Sequence, residues 1–141
     1  MVIYKLGQSI LRTMDPETAH VLTIRALKTG LMPAPKVMHS PVIAVTLPKS
    51  GLELTSPVGL AAGFDKNADV PGAMSRFGFG LVECGTVTPK SQPGNPKPRL
   101  FRLTEDQAVI NRMGFNNEGL PKFEANLKTY TGAAKLGANV G

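Results

Sequence analysis

Residues 80–85 read GLVECG, an apolar run with small residues of the kind found in buried strands of parallel sheets. Similar runs are VGLAAG at residues 58–63 and LGANV at residues 136–140. Helical patterns separate these three runs, at residues 70–77 and at residues 118–129. The order strand, helix, strand, helix, strand predicts βαβ units, a parallel sheet and the α/β class.

Two hairpins are predicted beside this sheet. Residues 42–45 and 51–54 read as short strands around a turn at residues 48–51. After the strand at 80–85 comes a proline-rich connection of about thirty residues, far above the usual few. Within it, residues 100–103 and 108–110 are expected to pair. Because ligand sites of parallel α/β proteins form where loops leave the carboxyl ends of strands, we expect this long connection to be functional.

The first 31 residues predict two short helices, with apolar residues at positions 3, 6, 10 and 11 of the first. Asp15 is expected to cap the second helix, Pro16 suits its first position, and Gly30 is expected to end it. Residues 32–41, which contain two prolines, predict a linker. One stripe of the second helix carries His20, Ile24, Leu27 and Leu31.

Composition limits the class of protein. The chain has 141 residues, 42% hydrophobic and 18% charged, enough for one core. No apolar stretch approaches the roughly 20 residues of a membrane-spanning helix, and the N-terminus lacks a signal-peptide pattern. Cys84 is the single cysteine, which excludes an internal disulfide and suits a reducing compartment. Although the net charge is +6, no two basic residues are adjacent, which disfavours nucleic acid as a partner.

Several residues at the predicted strand ends suit ligand chemistry. Lys66 follows a run of small residues that lets a flat ligand approach the backbone, although a tight turn with a solvated lysine is an equally good interpretation. Thr86 suits a hydrogen bond to a ring or a phosphate, or a helix cap. The polar cluster at 111–117 suits an amide-containing ligand, but its spacing alone favours a turn. His20 and Cys84 read as packed residues, and no metal-ligand spacing is present.

Four blocks of sequence carry a specific resemblance. They are GLAAGFDK at 59–66, ECGTVTP at 83–89, QPGNPKPRLFRL at 92–103 and INRMGFNN at 110–117. Together they resemble dihydroorotate dehydrogenases of the membrane-associated, quinone-reducing class. The two N-terminal helices, with Asp-Pro-Glu at 15–17 and a histidine at position 20, also resemble that class, whereas the soluble classes have no such extension.

The resemblance implies a (β/α)8 TIM barrel that holds FMN, preceded by a two-helix extension. Residues 1–40 would form the extension for membrane and quinone contact, and residues 41–141 the N-terminal part of the barrel. The implied reaction oxidises (S)-dihydroorotate to orotate in pyrimidine biosynthesis, with hydride passing to flavin N5 while a serine base removes the C5 proton. A quinone then takes up the electrons. The implied protein is a monomer, peripheral on the cytoplasmic face of the cell membrane, or on the inner mitochondrial membrane in a eukaryote.

The resemblance also assigns roles by position. Expected FMN contacts are Ala62, Gly63, Phe64, Asp65, Lys66, Thr86 and Asn139. Expected dihydroorotate contacts are Lys66, Asn111, Arg112, Met113, Gly114 and Phe115. Expected residues of the quinone tunnel are His20 and Arg102.

Length is where the sequence departs from this pattern. A (β/α)8 barrel takes about 250 residues, whereas this sequence reaches only the third barrel strand by Gly141. The serine base, the further substrate asparagines and the FMN phosphate site are therefore expected beyond Gly141, and the 141-residue chain is expected to be inactive alone. The alternative is a non-enzymatic membrane- or partner-binding module, favoured by the amphipathic first helix and the basic charge.

Overall fold

The structure is a computed structural model that describes residues 2–30, 32–35 and 40–141, with side chains from residue 7 onward. Three parts of the predictions fall outside this description. They are Leu31 of the apolar stripe, residues 36–39 of the linker, and the apolar side chains at positions 3 and 6.

Two helices lie at the N-terminus, α1 (Val2–Thr13) and α2 (Pro16–Lys28), as predicted. Asp15 caps α2, since its Oδ1 accepts the backbone N–H of Thr18 at 2.9 Å. Pro16 takes the first helical position, where its missing N–H has no cost. Gly30, with φ of 71°, follows the last turn, so the predicted stop is confirmed. Residues 32–35 contain no helix or strand.

The first hairpin is confirmed, but with shorter strands than predicted. β1 (Val45–Thr46) pairs antiparallel with β2 (Glu53–Leu54). The strand predicted from residue 42 is wrong there, because a 3-10 helix occupies Pro41–Ile43. The Ser40 hydroxyl accepts the N–H of Val42 at 3.3 Å, and the proline ring fixes φ, so the backbone turns before it extends.

The other elements form a parallel sheet and a second hairpin. In chain order they are β3 (Gly59–Leu60), α3 (Pro71–Ser75), β4 (Leu81–Val87), β5 (Leu100–Leu103), β6 (Ala108–Asn111), α4 (Leu120–Leu127) and β7 (Lys135–Val140). The parallel sheet has the order β3-β4-β7, and β5 pairs antiparallel with β6. Both predictions are confirmed. Each new parallel strand joins on the same side of the last, as in a singly wound barrel and unlike a doubly wound sheet.

The predicted strand at 58–63 is correctly placed but not buried as expected. Only two of its residues pair, and the Val58 side chain is 58% exposed. The reason is its edge position, because within the described part of the chain β3 pairs with β4 alone. The central strand β4 behaves as predicted, with Val82 and Cys84 fully buried.

The core lies between the sheet and the helices that cover it. Phe123 from α4, Met74 from α3 and Leu27 from α2 all pack in the cluster around Val82 and Cys84. α2 is therefore part of the same core as the sheet. Burial raises the pKa of the Cys84 thiol to about 12, which keeps it protonated and supports the core interpretation.

Candidate functional site

A cavity of about 640 Å³ opens at the carboxyl ends of β3 and β4, and we call it the strand-end cavity. It brings together segments that are far apart in sequence: the turn after β3, the end of β4, the hairpin and the polar segment after β6. Its lining residues are His20, Ala62, Gly63, Phe64, Lys66, Thr86, Asn95, Leu100, Asn111, Arg112, Met113, Gly114 and Phe115. All but three of the residues assigned by resemblance are in this set.

A chain of hydrogen bonds joins the three parallel strands beside the cavity. Glu83 of β4 accepts the backbone N–H of Ala62 at 3.4 Å through Oε2, and the side-chain N–H of Asn139 at 3.0 Å through Oε1. The Thr86 hydroxyl donates to Asn139 Oδ1 at 2.5 Å. Because Glu83 takes the amide nitrogen of Asn139, the amide oxygen faces Thr86, which leaves the Thr86 oxygen able to accept from a ligand.

The end of β4 is irregular at the point where it meets the cavity. Pairing with β7 shifts register between Cys84 and Val87. Gly85 lies in this break with φ of 119°, and a Cβ there would approach the Asn139 carbonyl oxygen within 2.5 Å. Only glycine is compatible with this geometry. Such bulges are common beside binding sites, because they re-aim the side chain that follows, here Thr86.

Lys66 and His20 set the electrostatics of the cavity. The Lys66 ammonium donates to the Gly63 carbonyl at 2.7 Å, and burial lowers the pKa of Lys66, a shift that the charge of Glu17 opposes. Burial, and then the nearby Lys66 charge, lower the pKa of His20. The His20 ring meets Phe64 edge-on, with centroids 5.3 Å apart. The histidine is therefore a neutral, packed group at neutral pH.

The polar segment at 111–117 divides into two functions. Residues 111–115 line the cavity, and Phe115 is 61% exposed with φ of 52°. Asn117 is buried and supports this turn, since its amide donates to the Phe115 carbonyl at 2.7 Å and accepts the N–H of Gly119 at 2.9 Å. The turn interpretation thus holds for Asn117, whereas residues 111–115 line the cavity. A left-handed non-glycine residue such as Phe115 is typical of functional sites.

Two arginines that resemblance assigns to the site, Arg112 and Arg102, donate hydrogen bonds to backbone carbonyls. Arg112 donates to the Pro98 carbonyl at 3.0 Å and lies over the Phe101 ring at 6.0 Å. Arg102 donates to the carbonyls of Leu11 at 3.0 Å and Met14 at 2.6 Å, which fixes the end of α1 to the hairpin.

Three residues assigned by resemblance do not line the strand-end cavity. The Asp65 carboxylate faces the interior, where it accepts the N–H groups of Asp69 and Val70, both at 2.7 Å. Asn139 does not line the cavity itself but accepts a hydrogen bond from Thr86, which does. Arg102 is at the α1 contact just described and is not in the same cavity as His20.

Three contributors to the site were not foreseen from sequence. Asn95 and Leu100 line the cavity, and Glu83 organises its edge. Glu83 lies on the face of β4 opposite the buried Val82 and Cys84. Its signal in the sequence was a single acid within the apolar run GLVECG, where a carboxylate needs polar partners. Asn95 lies between prolines in a loop and carries no such signal.

A second cavity of about 590 Å³, which we call the helix cavity, lies between α2 and the loops that follow β3 and β4. His20, Phe64, Lys66 and Met113 line both cavities and separate them. Within the described residues no three acidic, histidine or cysteine side chains cluster as metal ligands. No described helix combines the length and apolar character needed to cross a membrane.

Comparison with known proteins gives a consistent result. Residues 43–139 match the profile of the dihydroorotate dehydrogenase family. A dihydroorotate dehydrogenase (quinone) of Rhizobium rhizogenes is 51% identical over 136 residues, covering 96% of this chain and 37% of the relative. The corresponding protein of Xanthobacter autotrophicus is 53% identical over 145 residues, covering 100% of this chain and 40% of the relative.

Solved structures agree with the sequence comparison. The crystal structure of DHODH from Eimeria tenella in complex with ferulenol superposes with a TM-score of 0.83 at 44% identity, covering 90% of this chain and 36% of that one. This chain spans about 37% of the length of the Rhizobium relative. The parallel sheet is thus part of a TIM-barrel-type α/β fold, and the chain belongs to the dihydroorotate dehydrogenase family.

Proposed function

We propose that this chain supplies the flavin- and substrate-binding part of a quinone-dependent dihydroorotate dehydrogenase, which oxidises (S)-dihydroorotate to orotate. One observation carries the proposal. The residues that resemblance assigns to FMN and those that it assigns to dihydroorotate come from separate segments, yet all of them except Asp65 and Asn139 line the strand-end cavity. The printed names of the relatives point to the same activity.

The cavity fits a flavin in size and lining. Its volume of about 640 Å³ lies within the range of about 300 to 1,000 Å³ usual for cofactor sites. Ala62 and Gly63 leave the backbone accessible to a flat ring, and Lys66 supplies a positive charge beside it. Thr86 offers a free acceptor, with Asn139 behind it. Bound FMN would supply the electron acceptor for dihydroorotate oxidation.

The chain's own residues would bind and orient the substrate. Asn111 presents amide donors and acceptors at the cavity, which suit the carbonyl and N–H groups of dihydroorotate. The Lys66 charge would stabilise negative charge that develops in its neighbourhood. Leu100 and Phe115 would exclude water from one side.

The N-terminal helices would serve the quinone and the membrane. Ile10, Val21 and Leu22 expose apolar side chains, and Arg12 and Arg25 are exposed cations on the same two helices. This combination suits an interfacial contact with anionic lipid. We infer a peripheral monomer on the cytoplasmic face of the cell membrane, with His20 on the quinone path. Residues 1–40 would form this unit and residues 41–141 the barrel part.

The alternative is a module that binds membranes or a partner without catalysis. The exposed apolar residues of α1 and α2 favour it, but the assembly of the strand-end cavity would then have no function. The two proposals differ in whether a flavin binds and is reduced by substrate.

The test uses a grafted enzyme, in which residues 1–141 replace the matching segment of the Rhizobium rhizogenes relative. We expect the purified graft to be yellow and to lose its visible flavin absorption when dihydroorotate is added without oxygen, with orotate formed. Absorption should return when a quinone is added. A graft that binds lipid vesicles but holds no flavin would contradict the proposal and favour the alternative.

A further inference from the structure

A buried ion pair connects α2 to the hairpin that covers the strand-end cavity. Arg99 Nη2 donates to Glu17 Oε1 at 2.6 Å and Arg99 Nε donates to Glu17 Oε2 at 3.1 Å. Glu17 is 8% exposed and Arg99 is 7% exposed. A guanidinium with two parallel bonds to a carboxylate fixes both distance and direction, which a single bond does not.

The same guanidinium also holds the loop before β5. Arg99 Nη1 donates to the carbonyls of Pro93 at 2.6 Å and Asn95 at 2.9 Å. The Arg99 side chain therefore donates four hydrogen bonds. Four of the five guanidinium N–H groups are engaged and the side chain is buried, so we expect a movement of Glu17 relative to the sheet to be transmitted to this loop.

That loop in turn supports the segment assigned to the substrate. Asn95 donates to the Arg112 carbonyl at 2.7 Å from its side chain, and to the Met113 carbonyl at 3.0 Å from its backbone. The Arg112 N–H donates to the Arg99 carbonyl at 2.9 Å. The two segments pack so closely that a Cβ at Gly94 would lie 2.2 Å from the Met113 carbonyl oxygen.

On the other side, Glu17 lies one helical turn before His20 on α2. The i and i+3 positions share a face, so the helix surface that carries the ion pair also presents His20 to Phe64. The opposite end of α2 is held by Lys28 and Asp69, a pair in which the lysine side chain is 54% exposed. An exposed pair contributes little, whereas the buried pair, with two parallel hydrogen bonds, constrains the position of the first turn of α2.

We propose that Glu17 and Arg99 are positioning residues that couple the helix bearing His20 to the loop bracing residues 111–115. Through this pair, the α2 side of the molecule influences how dihydroorotate is held. The inference rests on the proposed function. It assigns a role in substrate binding to Glu17, which does not line the strand-end cavity.

The experiment measures dihydroorotate affinity in the reductive half-reaction of the grafted enzyme, from the substrate dependence of flavin bleaching without quinone. Glu17→Gln keeps the side-chain shape and removes the charge. We expect its apparent Kd for dihydroorotate to rise about fivefold or more, the lower end of couplings between distinct sites. Glu17→Gln and Arg99→Lys should be non-additive in the double variant, since both break one connection.

Two matched controls isolate the buried pair. Lys97→Met removes an exposed cation 3.3 Å from Glu17 Oε1, and Asp69→Asn breaks the exposed pair at the other end of α2. Both should keep the dihydroorotate Kd within about twofold of the parent. A Glu17→Gln graft whose Kd is unchanged, while only its thermal stability or quinone turnover falls, would overturn the coupling.

A second variant and a second readout keep the inference testable. If Glu17→Gln does not retain FMN, Glu17→Asp takes its place. This variant keeps the negative charge but shortens the side chain by one methylene, which moves the carboxylate away from Arg99. An unchanged dihydroorotate Kd in Glu17→Asp would overturn the coupling. If the parent graft is not reduced by dihydroorotate, the proposed function fails. Hydrogen exchange at the Asn95 and Arg112 amides then decides the inference: exchange about tenfold faster in Glu17→Gln supports it, and unchanged exchange contradicts it.

Discussion

Individual side chains at the strand-end cavity differ in how firmly the structure holds them. Lys66 is half-buried, and its ammonium stays at the strand end through one bond to the Gly63 carbonyl. Arg112, the other cation of the lining, is turned towards the Pro98 carbonyl. Glu83 is held from two sides by Ala62 and Asn139. These differences determine which substitution should affect which step.

Lys66→Ala should slow dihydroorotate-driven flavin reduction about a hundredfold in the grafted enzyme, the scale of losing one preorganised electrostatic group. The reason is that Lys66 places a partly desolvated positive charge at the cavity wall. Stopped-flow bleaching measures the rate. Lys49→Ala, in the exposed turn between β1 and β2, is the matched control and should bleach like the parent. A parental rate in Lys66→Ala would refute the assignment.

Glu83→Ala should weaken FMN binding about tenfold or more, as expected for losing hydrogen bonds to a charged acceptor. Without the carboxylate, the Asn139 amide is no longer oriented and Thr86 loses its fixed partner. Equilibrium dialysis of the flavin gives the affinity. Glu53→Ala, on the exposed side of β2, removes an equal charge and should leave the affinity unchanged. Equal affinities in both variants would show that the network is dispensable.

Acid should destabilise the protein partly through Glu17. Hydrogen bonding to Arg99 holds the pKa of Glu17 below its ordinary value of 4.5. A carboxyl group whose pKa is lower in the folded than in the unfolded protein stabilises the fold at pH values above its unfolded pKa. This contribution to the free energy of unfolding is lost as the pH falls through the pKa of the folded state. The difference in thermal midpoint between parent and Glu17→Gln should therefore shrink below about pH 4.5. A difference that stays constant down to about pH 3 would contradict this origin.

Site residues could be predicted from the sequence where their near neighbours in the chain form a recognisable pattern. Residues whose role depends on a partner far away in the sequence were missed. Ala62, Gly63, Lys66 and residues 111–115 stand at strand ends or in polar clusters, so pattern and resemblance located them. No residue near Glu17 in the sequence points to Arg99, because the two residues are 82 positions apart. Long-range pairs of this kind leave no periodic trace in one sequence.

At the scale of elements, periodicity and capping signals were most reliable where local chemistry decides the structure. Asp15 and Gly30 delimit α2 as expected, and the hairpin of β5 and β6 formed where predicted. Residues 41–43 differ because one serine hydroxyl and one proline outweigh the β-branched residues that follow. The edge strand β3 shows that burial depends on neighbouring strands, which an apolar run does not specify.

Arg102→Met should lower quinone turnover about tenfold, the scale of losing charge-assisted hydrogen bonds, with dihydroorotate-driven bleaching within about twofold of the parent. Arg102 holds the carbonyls of Leu11 and Met14, so its loss frees the end of α1 from β5. Steady-state rates with quinone and single-turnover bleaching separate the two steps. Arg76→Met, at the exposed end of α3, is the control. Equal losses in both steps would show that Arg102 acts on the whole fold instead.

At the scale of the whole molecule, the helices before residue 40 pack against the sheet and helices that follow it. Leu27 of α2 lies in the core cluster with Val82 and Phe123, and Glu17 reaches Arg99 across the same interface. The sequence predicted the parallel sheet, since alternating strands and helices allow few topologies. It did not predict that α2 joins the core, because an amphipathic helix reads the same whether its apolar face meets lipid or protein. The assignment of residues 1–40 to a separate unit remains a prediction.

A crystal structure of the grafted enzyme with FMN and orotate would show whether the strand-end cavity is the flavin and substrate site. We expect flavin density in the strand-end cavity against Ala62, Gly63, Lys66 and Thr86, with orotate beside residues 111–115. The Thr86 hydroxyl should still donate to Asn139, and Arg99 should still donate its hydrogen bonds to Glu17. Flavin density outside that cavity, or orotate without contact to residues 111–115, would contradict the assignment of this cavity to FMN and dihydroorotate.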